Sequence, residues 1–141
     1  MHIKQCTVDD VKELATLNQQ LIEDEKSDNK MNLAELEERM REFLRTDYHA
    51  YFFLDDHQVL GYALVKYTSK PYYIRQFLID RKYRKQHIGT QAFDVLQKEL
   101  DTDVLDLEVL SWNEAGKKFW EKCGFVERSR YLRRTDAECR V

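Results

Sequence analysis

The chain is poor in the residues that interrupt a fold. Its 141 residues include only four glycines and one proline, whereas disordered and linker-rich chains are rich in both. No internal repeat or low-complexity segment is present, and the length fits one domain. We therefore expect a single domain over residues 1–134 and a frayed C-terminal tail over residues 135–141.

Long apolar runs are missing as well. No segment approaches the ~18 apolar residues needed to span a bilayer, and no apolar run follows a basic N-terminus, so we expect neither a membrane span nor a signal peptide. The three cysteines (Cys6, Cys123 and Cys139) are an odd number without Cys-x-x-Cys spacing, which favours a reducing, cytoplasmic setting. The four histidines lack metal-ligand spacing, so no metal site is expected.

Neither sign of charge dominates. The 23 Lys and Arg residues nearly balance the 26 Asp and Glu residues, and the formal net charge is −3. Such a composition gives no general attraction to nucleic acid or to an anionic membrane. We therefore expect neither as a partner.

Apolar residues recur at helical spacing in two early segments. Thr7 is a predicted N-cap for the first segment, and Asn32 with Glu35 forms a capping-box pattern before the second. Each segment is predicted to be an amphipathic helix that buries one face. The two faces are Val11, Leu14, Leu17, Leu21 and Ile22, and Leu33, Leu36, Met40, Phe43 and Leu44.

The remaining pattern predicts an α/β (α+β) domain in the order β-α-α-β-β-β-α-β-α-β. Short polar connections join three strands into an antiparallel meander, and a helical crossover makes the next strand parallel to the last of them. The sheet is therefore predicted to be mixed but mostly antiparallel, flanked by helices. The predicted strands are His2–Cys6, Tyr48–Leu54, Val59–Tyr67, Tyr72–Ile79, Val104–Leu110 and Phe125–Leu132, and the later helices are Ile88–Leu100 and Asn113–Cys123, the last ended by Gly124.

A basic turn between the strand Tyr72–Ile79 and the helix after it is the most informative stretch. Helix N-termini bind anions because their first amides have no intrahelical partner, and Gly89 lets the backbone approach a ligand closely. Four cations, at Arg81, Lys82, Arg84 and Lys85, raise the local positive potential. From residue types alone, a solvated basic loop explains the turn equally well, and a nucleic-acid patch is a third interpretation.

Two motifs then resemble the GNAT superfamily of N-acetyltransferases. The stretch RKQHIG (84–89) is similar to the family's (Q/R)-x-x-G-x-(G/A) acetyl-CoA loop. Residues 107–125, LEVLSWNEAGKKFWEKCGF, resemble its second segment, a strand followed by Asn, Ala, an aromatic pair and Gly-Phe. The likeness covers nearly the whole chain, and RQF (75–77) with FW (119–120) looks like a bacterial subgroup of unassigned substrate.

The resemblance implies an acetyl-CoA-dependent N-acetyltransferase in which a primary amine of a small molecule or peptide attacks the thioester directly. The coenzyme A arm would lie in a V-shaped opening between the strands Tyr72–Ile79 and Val104–Leu110, with its pyrophosphate on the loop amides. The implied cofactor-binding residues are Phe77, Leu78, Ile79, Arg84, Lys85, Gln86, His87, Ile88, Gly89, Thr90, Asn113, Phe119 and Trp120.

Two residues depart from the family pattern. His87 replaces the family's first loop glycine, and we expect its amide to serve without a positive φ. Trp120 stands where many members carry a tyrosine that acts as general acid, a role that indole cannot perform. It is predicted either to orient the thioester or to be a core aromatic beside Phe119. Asn113 is expected to contact the cofactor, to cap the following helix, or both.

The general base is not assigned by the sequence. No glutamate lies between Tyr72 and Ile79, so the remaining candidates for the base are Glu23, Asp24, Glu25 and Glu108. The weak catalytic candidates overall are Glu25, Glu108 and Trp120. The acidic segment 23–28 either attracts a cationic substrate or is a solvated turn. Arg75 is predicted to bind a substrate carboxylate or, with slight preference, to form an ion pair with Glu108.

Three functional classes follow from these features. The preferred one is the N-acetyltransferase, and the missing tyrosine and glutamate motivate an alternative, a non-catalytic acyl-CoA-binding module. A nucleic-acid-binding domain that uses residues 81–85 is the third. The acceptor stays open, and either a monomer or a homodimer is compatible with the sequence.

Overall fold

A five-stranded sheet organises the computed structural model, which describes residues 1–84 and 87–135. The strands lie in the order β1-β2-β3-β4-β5. The pairs β1–β2, β2–β3 and β3–β4 are antiparallel, and the pair β4–β5 is parallel. This confirms the predicted mixed, mostly antiparallel sheet. The strands are β1 (His2–Gln5), β2 (Tyr48–Asp55), β3 (Gln58–Lys66), β4 (Tyr72–Ile79) and β5 (Leu105–Leu107).

Within the described part of the chain, four α-helices flank this sheet: α1 (Val11–Asp24), α2 (Leu33–Arg45), α3 (Ile88–Leu100) and α4 (Glu114–Lys122). The predicted capping box of α2 forms, with Asn32 Oδ1 accepting from the amide of Glu35 at 2.9 Å. Thr7 caps a 3₁₀ turn at Val8–Asp10, which leads into α1, and not α1 itself. In the part of the chain that the structure describes, no helix is long and apolar enough to cross a bilayer.

Both faces of the sheet are covered by helices. Leu14 of α1 and Met40 of α2 pack with Tyr62 on one face, and Leu96 of α3 packs with Phe53 and Val65 on the other. This explains why β2 and β3 are apolar nearly throughout instead of alternating. Burying one such large side chain contributes about 1.5–3 kcal/mol, so these two cores hold the strands that position the site.

The end of the predicted topology needs correction. Residues 125–135 contain no helix or strand, although Phe125–Leu132 was expected to be the last strand. A strand is stable only with a partner to pair against, and β5 spans three residues instead of the predicted Val104–Leu110. The side chains of Val126 and Leu132 are consequently 82% and 87% exposed. Of the predicted tail, 135–141, only Thr135 lies within the described residues.

Candidate active site

Strands β4 and β5 separate after three residue pairs. Tyr72 pairs with Leu105, and the ladder ends where Ile74 pairs with Leu107. No described strand pairs with this edge of β4 beyond Ile74. The edge from Arg75 to Ile79 therefore offers backbone groups to a ligand, on one side of the opening that the sequence predicted.

A β-bulge marks the point of separation. On β3, Leu64 pairs with Gln76 of β4 but the next residue, Val65, pairs with Ile74, so Arg75 is the extra residue. A bulge bends its strand and redirects the side chain of the extra residue. It thus accounts for the divergence of β4 from the short β5 and for the direction of the Arg75 side chain.

The loop after β4 is fixed to helix α1 by side chains that the sequence did not single out. Gln20 Oε1 accepts from the amide of Arg81 at 2.8 Å, and Gln20 Nε2 donates to Asp80 Oδ1 at 3.3 Å. Asp24 accepts from the guanidinium of Arg81 at 2.8 Å and also from that of Arg84. The acidic segment 23–28 therefore provides a counterion for the basic turn, a role that neither of its predicted interpretations included.

The guanidinium of Arg84 forms hydrogen bonds within the protein. Its Nε donates to the carbonyl of Ile79 at 2.8 Å, while its terminal nitrogen contacts Asp24. Its side chain thus closes the loop against the end of β4. Lys85 and Gln86, two further predicted loop residues, lie outside the described residues.

Helix α3 begins without a side-chain cap. His87 occupies its N-cap position with φ 72° and makes no capping hydrogen bond, whereas Asn32 and Asn113 cap α2 and α4. The expectation that His87 would avoid a positive φ is therefore wrong. The entry into α3 places His87 in the left-handed region, which glycine adopts without steric cost. The first amides of α3 belong to Ile88, Gly89 and Thr90, and uncapped amides of this kind form an anion site.

The start of α3 rests on an aromatic cluster. A Cβ added to Gly89 would lie 2.9 Å from Cε1 of Phe119, so glycine allows the close approach. Within the cluster, the Trp120 ring lies 4.7 Å from Phe119 and 5.1 Å from Phe77, between ring centroids. It also contacts Phe93 and Phe125. These contacts favour the interpretation of Trp120 as a packing residue.

Asn113 caps the helix on the β5 side of the opening. Its Oδ1 accepts from the amide of Gly116 at 3.0 Å, which confirms the predicted capping role. Its Nδ2 makes no hydrogen bond with the described residues. That group is consequently available as a donor.

The carboxylate candidates differ in their surroundings. Glu25 is half-buried at the end of α1, and burial together with the charge of Asp24 raises the pKa of its carboxyl group. Its carbonyl accepts from Trp112 Nε1 at 2.8 Å, which joins α1 to the segment after β5. Glu108 is exposed and accepts from the Tyr73 hydroxyl at 3.0 Å. Burial and the charge of Glu108 raise the pKa of Tyr73 to about 12.

The expected ion pair between Arg75 and Glu108 does not form among the described residues. The bulge directs Arg75 toward α2, where its guanidinium carbon lies 4.9 Å from the centre of the Phe43 ring. Its NH1 donates to the hydroxyl of Tyr48 at 3.4 Å. Glu108 is instead engaged by Tyr73.

Comparison with known sequences identifies one family. The sequence model of the Acetyltransferase (GNAT) family matches residues 12–125, which run from the second residue of α1 to beyond the end of α4. No curated protein sequence matches the chain significantly.

Solved structures share the fold at low sequence identity. A possible acetyltransferase from Clostridium difficile 630 superposes with a TM-score of 0.79 at 17% identity, covering 96% of each chain. A predicted acetyltransferase with acetyl-CoA from Clostridium acetobutylicum gives 0.73 at 17% identity, covering 97% of each. The ribosomal-protein-alanine N-acetyltransferase of Brucella melitensis biovar Abortus 2308 gives 0.72 at 17%, covering 96% of this chain and 100% of that one. These likenesses establish the arrangement of the elements around the opening.

Proposed function

Because the chain belongs to the acetyltransferase (GNAT) family, we propose that it is an N-acetyltransferase that moves the acetyl group of acetyl-CoA onto a primary amine. Acetyl-CoA is the donor that the family membership supports, and the Clostridium acetobutylicum relative was solved with acetyl-CoA. The acceptor would be a small molecule or a peptide.

One observation carries this proposal: β4 has an edge without a strand partner in the described chain, and the next α-helix begins without a side-chain cap. Coenzyme A is a diphosphate joined to an arm that contains amide groups. The diphosphate suits the first amides of α3, and the arm suits the edge of β4, where it would pair like a short strand.

The proposed cofactor residues form two walls. On the β4 and α3 side, the backbones of Phe77, Leu78 and Ile79 would hold the arm and the amides of residues 86–90 the diphosphate. On the β5 side, the free Nδ2 of Asn113 would donate to the arm. Phe119 and Trp120 would support the loop by packing, and Arg84 would act by shaping the loop because its guanidinium already binds Asp24 and Ile79.

The chemistry requires a neutral amine. An amine with a pKa near 10.4 is neutral in only about one molecule in two thousand at pH 7, so the site must accept a proton. The nitrogen then attacks the thioester carbonyl, the new C–N bond forms, and the C–S bond breaks. A thiolate of modest basicity leaves, and it takes up the second proton, which the nitrogen loses as the amide forms, so no tyrosine acid is required.

We propose Glu25 as the proton acceptor. It is half-buried, and its raised pKa makes its carboxylate a better base than an exposed one. Glu108 is exposed and already accepts a hydrogen bond from Tyr73. Trp120 has no transferable proton at this pH, so its part would be to pack beside the thioester.

Thermal unfolding with and without acetyl-CoA tests the cofactor site. We expect the wild-type melting temperature to rise with acetyl-CoA, since a ligand at 100 times its Kd stabilises by about 2.7 kcal/mol. Gly89→Glu should abolish the rise because it places a carboxylate beside the backbone amides that would bind the diphosphate. Gln58→Glu, which adds the same charge at an exposed position of β3, should retain it.

A second step separates the enzyme from the acyl-CoA-binding module. Release of free thiol from acetyl-CoA is measured with a panel of primary amines, and saturable release coupled to amide formation supports the enzyme. Cofactor binding without transfer to any amine supports the module. An unchanged wild-type melting temperature at saturating acetyl-CoA would reject both.

A further inference from the structure

Two guanidinium groups lie against the same aromatic ring on the α2 face of the sheet. Arg39 of α2 and Arg75 of the β4 bulge lie with their guanidinium carbons 5.4 Å and 4.9 Å from the centre of the Phe43 ring. Tyr48 packs beside Phe43, with ring centroids 4.8 Å apart. Two positive charges are thereby held together on an aromatic platform.

Neither of these arginines has a carboxylate partner. In residues 1–84 and 87–135, no carboxylate oxygen lies within 4.0 Å of either guanidinium. The neighbouring Arg41 and Arg45 pair instead with Glu38 at 2.7 Å and Glu42 at 2.8 Å. Arg39 and Arg75 are thus distinguished from the other arginines of this face by the lack of a counterion.

The hydrogen-bonding capacity of Arg39 and Arg75 is also largely unused. Arg39 donates once to Asn18 Oδ1, at 3.0 Å, and its buried Nε has no partner. Among the residues that the structure describes, Arg75 donates only to the Tyr48 hydroxyl, at a long 3.4 Å. Burial, and next the charge of Arg75, lower the pKa of Arg39. A buried donor without an acceptor and two like charges side by side are both unfavourable, and an oxyanion would relieve both.

The pair lies on the acceptor side of the proposed reaction centre. Arg75 directly follows Ile74, where β4 and β5 separate. Among the described residues, Glu25 and Glu108 form no ion pair with either arginine. Glu108 is held by Tyr73. An acceptor could therefore place its amine toward Glu25 while its acidic group lies between the guanidiniums.

We propose that Arg39 and Arg75 together bind an oxyanion, a carboxylate or a phosphate, on the acceptor amine. Planar guanidiniums match such groups through paired hydrogen bonds. The acceptor class is then a primary amine that also carries an acidic group, as in an amino acid or a phosphorylated amino alcohol. This inference rests on the proposed function, because it specifies the acceptor of that reaction.

Binding is measured by NMR on the protein loaded with CoA, which has no acetyl group to transfer. Matched pairs are titrated: amino acids against their amides, and O-phosphoethanolamine against ethanolamine. The acidic member of at least one pair should bind at least tenfold more tightly and should shift the Nε–Hε resonances of Arg39 and Arg75 but not that of Arg41. Which pair responds identifies the carboxylate or the phosphate.

Variants test whether these two side chains cause the preference. Arg39→Gln and Arg75→Gln should each bring the ratio within a pair close to one, Arg75→Lys should retain part of it, and Arg41→Gln should retain all of it. CoA-induced stabilisation of each variant verifies that it is folded. Equal binding of both members in every pair, or an unchanged ratio in both glutamine variants, overturns the inference.

Acetyl transfer to the same pairs is measured separately. Preferential oxyanion binding without transfer would reject the proposed reaction and leave the subsite in place. Transfer with equal kcat/KM for acidic and neutral members, and no binding preference, would reject the subsite and leave the reaction in place.

Discussion

His87 carries backbone strain in the proposed cofactor loop. Its φ of 72° lies in the left-handed region, which costs a histidine about 1–2 kcal/mol. We predict that His87→Gly raises the free energy of unfolding by about 1 kcal/mol, measured by denaturant titration. Asp101→Gly, at the other end of α3 with φ 51°, should raise the free energy of unfolding less, because aspartate tolerates this conformation better than histidine does. An equal gain at both positions would count against strain specific to His87.

The ionised carboxylate of Glu25 lowers the stability of the folded protein but is needed for the proposed reaction. Its pKa is higher in the folded protein than in the unfolded chain because burial disfavours the carboxylate. The folded state therefore holds the proton more tightly, and stability falls as the pH rises from the unfolded pKa through the raised folded pKa. The ionised form that destabilises the fold is the form that would accept a proton from the amine in the proposed reaction.

We predict that Glu25→Gln raises the melting temperature at pH 7 but not near pH 4, where the wild-type carboxyl is protonated. The same variant should lower kcat by about 100-fold or more and should remove the acidic limb of the wild-type pH–rate profile. Glu108→Gln is the matched control and should change neither property strongly. A wild-type rate in Glu25→Gln would exclude Glu25 as the base.

At the scale of elements, the approach of β3 to β4 sets the wall of the opening. A Cβ added to Gly61 would lie 2.0 Å from the carbonyl oxygen of Leu78, and a backbone atom cannot move aside as a side chain can. We predict that Gly61→Ala destabilises the protein by at least about 2 kcal/mol and weakens acetyl-CoA stabilisation. Gly124→Ala is the comparison, since its Cβ meets nothing within 4 Å and only its φ of 97° is unfavourable, at about 1 kcal/mol. Chemical denaturation of both variants should show the larger loss at Gly61.

The sequence was most informative where a local pattern is sufficient. The bounds of β4 and α3 were predicted correctly, because dense β-branched and aromatic residues define the first and an apolar stripe with a loop before it defines the second. Phe125–Leu132 has the same kind of composition but no strand to pair with, and composition does not report the partner. Strand formation there depends on the length of β5, a property of another segment.

Within the site, the sequence located the loop but not its supports. The interaction of Asp24 with Arg81 joins residues 57 positions apart, and Gln20 is an unremarkable polar residue of a helix surface. Complementary charge in segments 23–28 and 81–85 was the only available signal. The direction of Arg75 could not be predicted either, because a bulge changes which way a strand residue points.

At the scale of the whole molecule, different helices form the proposed donor side and the proposed acceptor side of the opening. Helices α3 and α4 provide the proposed cofactor loop, its aromatic support and Asn113. Helices α1 and α2 provide Glu25 and Arg39 on the proposed acceptor side. The end of α1 contacts segments on both sides of the opening. Asp24 accepts from Arg81 in the loop after β4, and the backbone carbonyl of Glu25 accepts from Trp112. Two adjacent residues thus connect the donor side of the reaction with the acceptor side.

The positions of the two tryptophans give the protein an optical property. Trp120 is half-buried in the ring cluster against which the cofactor loop packs, and Trp112 is 57% exposed and bonded to the end of α1. Indole emission depends on the polarity around the ring, so the two tryptophans are unlabelled fluorophores in different surroundings on the β5 side of the opening. Replacing one tryptophan with phenylalanine leaves emission either from the ring cluster or from the contact with the end of α1, which would allow the arrival of donor and acceptor to be timed separately in a stopped-flow experiment.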